Sequence, residues 1–196
     1  MASSYLFNAN NANPLYNENV IEFMQSRNAN RKGCIFKKMD VREMTFPDET
    51  FDLIIDKSTI DALLCGDNAA VDVATMLKEV QRVLKIGGYY MIISYGAPEN
   101  RVVHLERKFL NFDVNIFTIK KSSMEDGVYD KVHYIYLCKK LSYKKAEVEE
   151  KFQQTLKEIQ REEEEEEEVE ENYNDDEHHE QPEENKSDDN QDDDNQ

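Results

Sequence analysis

The chain reads as an α/β protein built on a largely parallel sheet, and three stretches of sequence say so. Leu53-Ile54-Ile55 is an unbroken apolar run that ends on the carboxylate of Asp56, the pattern of a parallel strand covered on both faces with a polar group at its carboxyl end. Val73, Met76, Leu77, Val80, Val83 and Leu84 then form one apolar stripe over about four helical turns, and Gly87-Gly88 leads into a second buried strand, Tyr89 to Ser94. Finally, Phe112, Val114, Ile116 and Thr118 alternate with outward residues, as do His133 to Leu137, which suggests an antiparallel pair at one sheet edge around the Asp126-Gly127 turn. Open sheets of this class place ligands at the carboxyl ends of their strands, so the stretch from Asp40 to Asp61 is where chemistry is expected.

Charge separates the chain into parts. From Glu147 onward there are 24 acidic and 4 basic residues, a net of −20, so the whole-chain value of −18 leaves residues 1–146 at about +2. The low pI therefore belongs to the C-terminal stretch, while the globular part is near neutral. An acidic balance opposes direct nucleic-acid binding, which needs a cationic surface, and favours basic protein partners. No run approaches the roughly 18 apolar residues of a membrane span, and Met1-Ala2-Ser3-Ser4 lacks the basic flank and apolar core of a signal segment. A soluble cytoplasmic protein, without membrane association, is expected. Cys34, Cys65 and Cys138 show no CxxC spacing and read as ordinary core cysteines, not as a disulfide or a zinc site.

Taken in order, Asn8 to Asn13 is low complexity, with no reason to pack. Asn17 can cap a helix carrying Val20, Ile21, Phe23 and Met24, and Asn28 to Gly33 ends it. Cys34 to Met39 is a short strand that delivers Asp40. After Asp56, Ser58 and Asp61 are spaced as a capping box for a short helix, with Gly66 as its stop and Asp67 or Asn68 starting the long helix. Gly87 is placed as a left-handed helix cap. Pro98 precedes a helix with Val102, Val103, Leu105 and Phe109 inward. Val148, Phe152, Leu156 and Ile159 recur at spacings of 4, 4 and 3, giving an amphipathic helix. Beyond Arg161, seven consecutive glutamates and the Asp/Glu/Asn/Gln mixture offer too little apolar area to offset chain entropy. The expected divisions are a low-complexity segment 1–16, a domain 17–141, a helix 142–161 and a disordered acidic tail 162–196. His178-His179 in that tail lacks the further ligands a metal needs, so no metal is expected. His104 and His133 read as ordinary surface or half-buried residues rather than bases.

The order Asp40, Phe51-Asp52, Asp56-Lys57-Ser58-Thr59-Ile60-Asp61-Ala62, Leu84 to Gly88 and Ser94-Tyr95-Gly96 resembles the seven-strand S-adenosylmethionine-dependent methyltransferases. Within them it is most similar to the branch containing lysine methyltransferases of a translation elongation factor, which reads Asp-Lys-Gly-Thr-Leu-Asp-Ala where this chain has Asp56 to Ala62. The resemblance implies a Rossmann-like sheet with strand order third, second, first, fourth, fifth, seventh, sixth. It implies S-adenosylmethionine as cofactor, with Asp40 accepting from the adenine amino group and the Val41 amide donating to a ring nitrogen. Without the resemblance, Asp40 is a strand-end cap or an ion-pair partner of Arg42. Asp56 would stand near the transferable methyl group, with Lys57, Ser58, Thr59 and Asp61 lining the acceptor side. Asp56 and Lys57 count among the cofactor-binding residues, and Asp56 and Asp61 would orient a lysine acceptor or receive its proton. Asp61 has the competing role of a helix cap.

Two family devices are missing. The six glycines, Gly33, Gly66, Gly87, Gly88, Gly96 and Gly127, form no GxG, and the ribose-binding acidic position falls at or near Leu15. The sheet is therefore expected to be N-terminally truncated, with its first two strands absent. Residues 34–39 then either pair directly with 51–56 or leave a raw edge. The function implied is methyl transfer to a protein lysine. The alternatives are a degenerate methyltransferase-like module that acts by binding, or a fragment of a longer enzyme.

Overall fold

A computed structural model describes residues 4–8, 14–120 and 132–177. Six strands and five α-helices follow in the order β1 (Ser4–Asn8), α1 (Pro14–Arg27), β2 (Cys34–Lys38), β3 (Phe51–Lys57), α2 (Thr59–Leu63), α3 (Ala69–Val83), β4 (Leu84–Ser94), α4 (Val102–Leu105), β5 (Phe112–Lys120), β6 (Val132–Lys140) and α5 (Lys145–Glu177). A 3₁₀ turn, Pro98–Asn100, precedes α4.

The strands form two sheets. In the larger, ordered β3-β4-β6-β5, β3 pairs parallel with β4, while β6 is antiparallel to both β4 and β5. This is the mixed four-stranded sheet that the alternating sequence pattern anticipates, with the antiparallel pair at one edge. In the smaller sheet β1 and β2 pair in parallel, with Ser4 opposite Cys34 and Asn8 opposite Lys38. A strand thus forms within residues 1–16, where the sequence suggested only a low-complexity segment, and β2 has the neighbour that was expected to be absent. Residues 34–38 do not pair with 51–57. No ladder joins the two sheets among the described residues, so β3 lies at an edge.

The open face of β3 corrects a second expectation. Leu53 and Ile55 are exposed, not covered on both faces. A parallel strand at the end of its sheet keeps an apolar sequence for a face that nothing in the described residues covers.

The core lies on the opposite face. Tyr90, Ile92, Tyr136 and Cys138 are buried in one cluster with Val73, Leu77, Val80 and Val83 of α3, the stripe its helical spacing predicted. α5 adds Val148, Phe152 and Ile159, with the Phe152 ring edge-on to Phe109 at 5.3 Å between centroids. α5 runs out of this unit, which ends at Ile159, into a second that begins at Gln160. Its helix continues to Glu177, past the point at which the glutamate run was expected to end it. His178, His179 and the Asp126-Gly127 turn lie outside the described residues.

Several ends differ from their sequence signals. α1 starts at Pro14, where a fixed φ suits the first helical position, and not at Asn17. Gly87 does take a left-handed conformation, φ 79°, but within β4, because α3 has already ended at Val83. α4 is one short turn, with Leu105 and Phe109 buried and Val103 exposed. Cys138 is buried, whereas Cys34 and Cys65 are exposed. No helix of the described residues is long and apolar enough to cross a membrane.

Candidate active site

The carboxyl ends of β3 and β4 stand side by side, with Lys57 opposite Ile93, and the Ser58 amide continues the ladder by donating to the Ile93 carbonyl at 3.1 Å. The polar residues singled out in the sequence converge at this end.

Asp56 is buried, and its carboxylate accepts three hydrogen bonds. The Thr59 amide donates to Oδ1 at 2.7 Å, the Ile60 amide to Oδ2 at 3.2 Å, and the Tyr90 hydroxyl to Oδ2 at 2.8 Å. Asp56, not Ser58, satisfies the first amides of α2. Ser58 makes no capping bond and adopts φ 65°, ψ 12°. That left-handed backbone explains why the related branch carries glycine there: a side chain is accommodated at a cost that glycine avoids. Burial raises the Asp56 carboxyl above its ordinary range, with the three donors opposing the shift. Burial, together with the Asp56 charge, raises the Tyr90 hydroxyl well above the usual phenol value.

Asp61 does not complete a capping box. Its carboxylate faces the end of β4, where Oδ1 accepts from Ser94 Oγ and from Arg101 Nη2 at 2.7 Å, and Oδ2 accepts from the Tyr95 amide at 3.3 Å. The Gly96 amide donates to Ser94 Oγ at 2.9 Å, and the Tyr136 hydroxyl to the Gly96 carbonyl at 2.6 Å. A Cβ at Gly96 would overlap the Arg101 guanidinium, so a larger residue there would have to move Arg101 off Asp61. This network fixes the segment after β4 against α2 and β6. Arg101 and Tyr90 were not legible in the sequence, since neither sits in a motif and their partners are 40 and 34 residues away.

Asp40 follows β2. Its carboxylate takes the Arg42 amide at 2.9 Å and the Arg42 guanidinium at 2.8 Å, so the ion pair suggested by its spacing is formed. Arg42 also reaches Asp72, in the first turn of α3, at 2.8 Å. This bridge ties the Asp40 turn to the start of α3, the helix that follows β3 and α2 along the chain. Residues 44–48 then run along α3. The Met44 amide donates to Glu79, and Arg82 donates to the Met44 and Phe46 carbonyls and to Asp48. Met39, Val41 and Met44 are buried beneath this strap.

The residues present fit one end of the expected cofactor. The Asp40 side chain retains 35% of its surface exposed. The Val41 amide has no hydrogen-bond partner among the described residues. A carboxylate and a backbone donor one residue apart match the adjacent amino and ring-nitrogen groups of an adenine edge. Lys57 is exposed at the end of β3. No cluster of His, Cys, Asp or Glu suited to a metal occurs among the described residues.

Comparison with known proteins bears on the family. The family model described as a methyltransferase domain matches residues 16–114, half of the chain. The eEF1A lysine and N-terminal methyltransferase of Bos taurus is 45% identical over 80 residues, covering 39% of this chain and 11% of that protein. EEF1A lysine methyltransferase 4 of Mus musculus is 32% identical over 97 residues, covering 45% of this chain and 38% of that protein. The chain therefore spans less than half the length of either relative. Among solved structures, N-methyltransferase NodS from Bradyrhizobium japonicum WM9 shares the fold at a TM-score of 0.51 and 13% identity, over 70% of this chain and 73% of that one. The family match spans the turn that carries Asp40 and the Asp56-to-Ala62 motif, and the chain belongs to the methyltransferase-domain family, whose cofactor is S-adenosylmethionine.

Proposed function

We propose that this chain is an S-adenosylmethionine-dependent methyltransferase acting on a lysine side chain of a protein, of the kind named in its elongation-factor-modifying relatives. The observation that supports this reading is that the Arg42–Asp72 bridge ties the Asp40-Val41 turn to the first turn of α3, the helix that follows the Asp56-to-Asp61 motif and α2 along the chain. In this reading Asp40 and Val41 hold the adenine edge. Lys57 stands on the cofactor side of the strand end.

The chemistry supplied by bound S-adenosylmethionine is an in-line displacement in which the acceptor nitrogen takes the methyl group from sulfur. The chain's own part is to orient and exclude water. Asp56 and Asp61 do this as positioning groups, because donors already occupy their oxygens. A lysine ammonium, with a pKa of about 10.4, must lose a proton to water before it attacks, and a carboxylate nearby favours its charged form. Asp61 is paired with Arg101, and Asp56 is buried and held by the Tyr90 hydroxyl and two amides, so the chain supplies orientation here rather than a free base. The acidic stretch from Glu147 onward, 24 acidic against 4 basic residues, supports a basic protein surface as the partner.

Calorimetric titration with S-adenosylmethionine tests the cofactor assignment. Saturable binding in the ~1–100 μM range, weakened at least ~10-fold by Asp40→Ala, is expected, and no heat at millimolar ligand refutes it. Transfer of a labelled methyl group from S-adenosylmethionine to purified elongation factor 1A tests the acceptor. Label that stays off every lysine removes that part of the proposal.

A further inference from the structure

The sheet β3-β4-β6-β5 has two faces, and among the described residues only one is covered by helices. On the open face, strand register aligns Leu53 with Tyr89, Ile55 with Met91, and Phe117 with Ile135 beside Ile93. Ile119 lies opposite His133, whose ring meets Tyr95 at 4.4 Å between centroids. Six of these side chains are well exposed: Leu53 49%, Ile55 59%, Tyr89 38%, Tyr95 59%, Phe117 54% and Ile119 51%. The β4 and β6 residues between them are half-buried, so the patch is continuous from one sheet edge to the other.

At ordinary side-chain areas the six leave roughly 600 Å² in water, at the top of the ~300–600 Å² range of the largest apolar patch on a typical monomer. A standard specific interface takes about 800 Å² from each partner. The exposed side chains alone supply most of that, before the half-buried residues between them are counted.

We infer that this face is where a second copy of the chain packs, open sheet against open sheet. The patch is apolar throughout its centre and so complementary to itself, which is what a two-fold interface requires. Lys57 and Lys139, charged residues of this face, lie at its ends rather than among Met91, Ile93, Ile135 and Leu137 at its centre, and residues 1–146 carry only about +2 of the chain's −18. Sheet faces pack on one another at ~10 Å with interdigitating side chains, and β-branched and aromatic residues such as Ile55, Ile119 and Phe117 suit that spacing. The dimer also removes from water the strand whose apolar sequence called for cover on both faces.

Sedimentation equilibrium of the full chain tests this. A dimer with a Kd of ~10 μM or tighter is expected. Ile55→Lys and Phe117→Lys, both at positions exposed in the protomer, should each weaken it at least ~10-fold and together ~100-fold or more. Val103→Lys, equally exposed at 57% but on α4, should leave it unchanged. As a measurement that needs no variant, the methyl resonances of Ile55 and Ile119 should shift with protein concentration while those of Ile60 and Ile159 stay put. A chain that remains monomeric at ~100 μM, a dimer indifferent to both lysines, or association that continues beyond two copies overturns the inference.

Discussion

Tyr90→Phe isolates the bond that holds the candidate site's most buried carboxylate. The hydroxyl donates to Asp56 Oδ2 at 2.8 Å, and both groups are out of solvent. A hydrogen bond to a charged group contributes about 1.5–3 kcal/mol, and Asp56 keeps its bonds from Thr59 and Ile60 after the change, so it is weakened rather than orphaned. The ring stays in place and the lost oxygen leaves little void. The expected loss is therefore about 2 kcal/mol at pH 7, which for a domain of this size lowers Tm by roughly 4–8 °C.

The pH dependence gives the test its direction. Burial raises the Asp56 carboxyl above its ordinary 3.8, while Tyr90 pulls it back. A carboxyl raised on folding contributes stability that is complete below its unfolded value and is lost as pH rises through its folded one. Removing Tyr90's hydroxyl lifts the folded value further, so the stability gap between wild type and variant should be widest at neutral pH and shrink on acidification, as Asp56 takes up its proton. Urea melts at pH 7 and pH 5, with a carboxyl-carbon titration of Asp56, read both. A loss under ~0.5 kcal/mol, or a gap that does not shrink as pH falls through the measured Asp56 titration, refutes the reasoning.

Three further outcomes are expected. Gln81→Leu strips the fully buried side chain whose amide donates to the Phe109 carbonyl at 3.0 Å and accepts from the Asn111 amide at 2.6 Å, leaving two backbone groups unsatisfied; chemical melts should show a loss of ~2–4 kcal/mol. Arg101→Leu leaves Asp61 without its cation, and exchange of the Tyr95 and Gly96 amides should rise at least ~10-fold, while unchanged exchange would mean that Arg101 does not hold that segment. Burial, with help from Arg107 and Arg101, lowers His104 from 6.5 to about 4, so folding favours the neutral ring: its contribution is complete above pH 6.5 and falls away as pH drops toward 4. Allowing for the surface it keeps in water, that is roughly 1–2 kcal/mol, and His104→Leu should flatten the stability slope between pH 7 and 5 by that amount.

Much of the fold was legible because it is periodic. The α3 stripe from Val73 to Val83, the two parallel strands and the alternating edge pair all follow from side-chain spacing, which is a local property of the backbone. The family was legible in the Asp56-to-Ala62 motif for a related reason: Ser58 needs a left-handed backbone and Asp56 must reach two amides just ahead of it, so the motif is short-range geometry written in order. The strand β1 was not legible, because Ser4 to Asn8 carries no alternation and forms its ladder by pairing with Cys34 to Lys38. Nor was the extension of α5 past Arg161, which a run of like charges argues against.

Composition and periodicity alone determined that this is an α/β chain with a near-neutral body, an acidic C-terminal stretch and a polar site at its strand ends. Only the tertiary structure decided what the site's carboxylates do and which apolar residues stay wet. Asp61 turned from a helix cap into the partner of Arg101, 40 residues on, and Leu53 and Ile55 proved exposed although their sequence is that of a buried strand. Both outcomes depend on which elements pack on which, a long-range choice that leaves no mark on the spacing of residues along the chain.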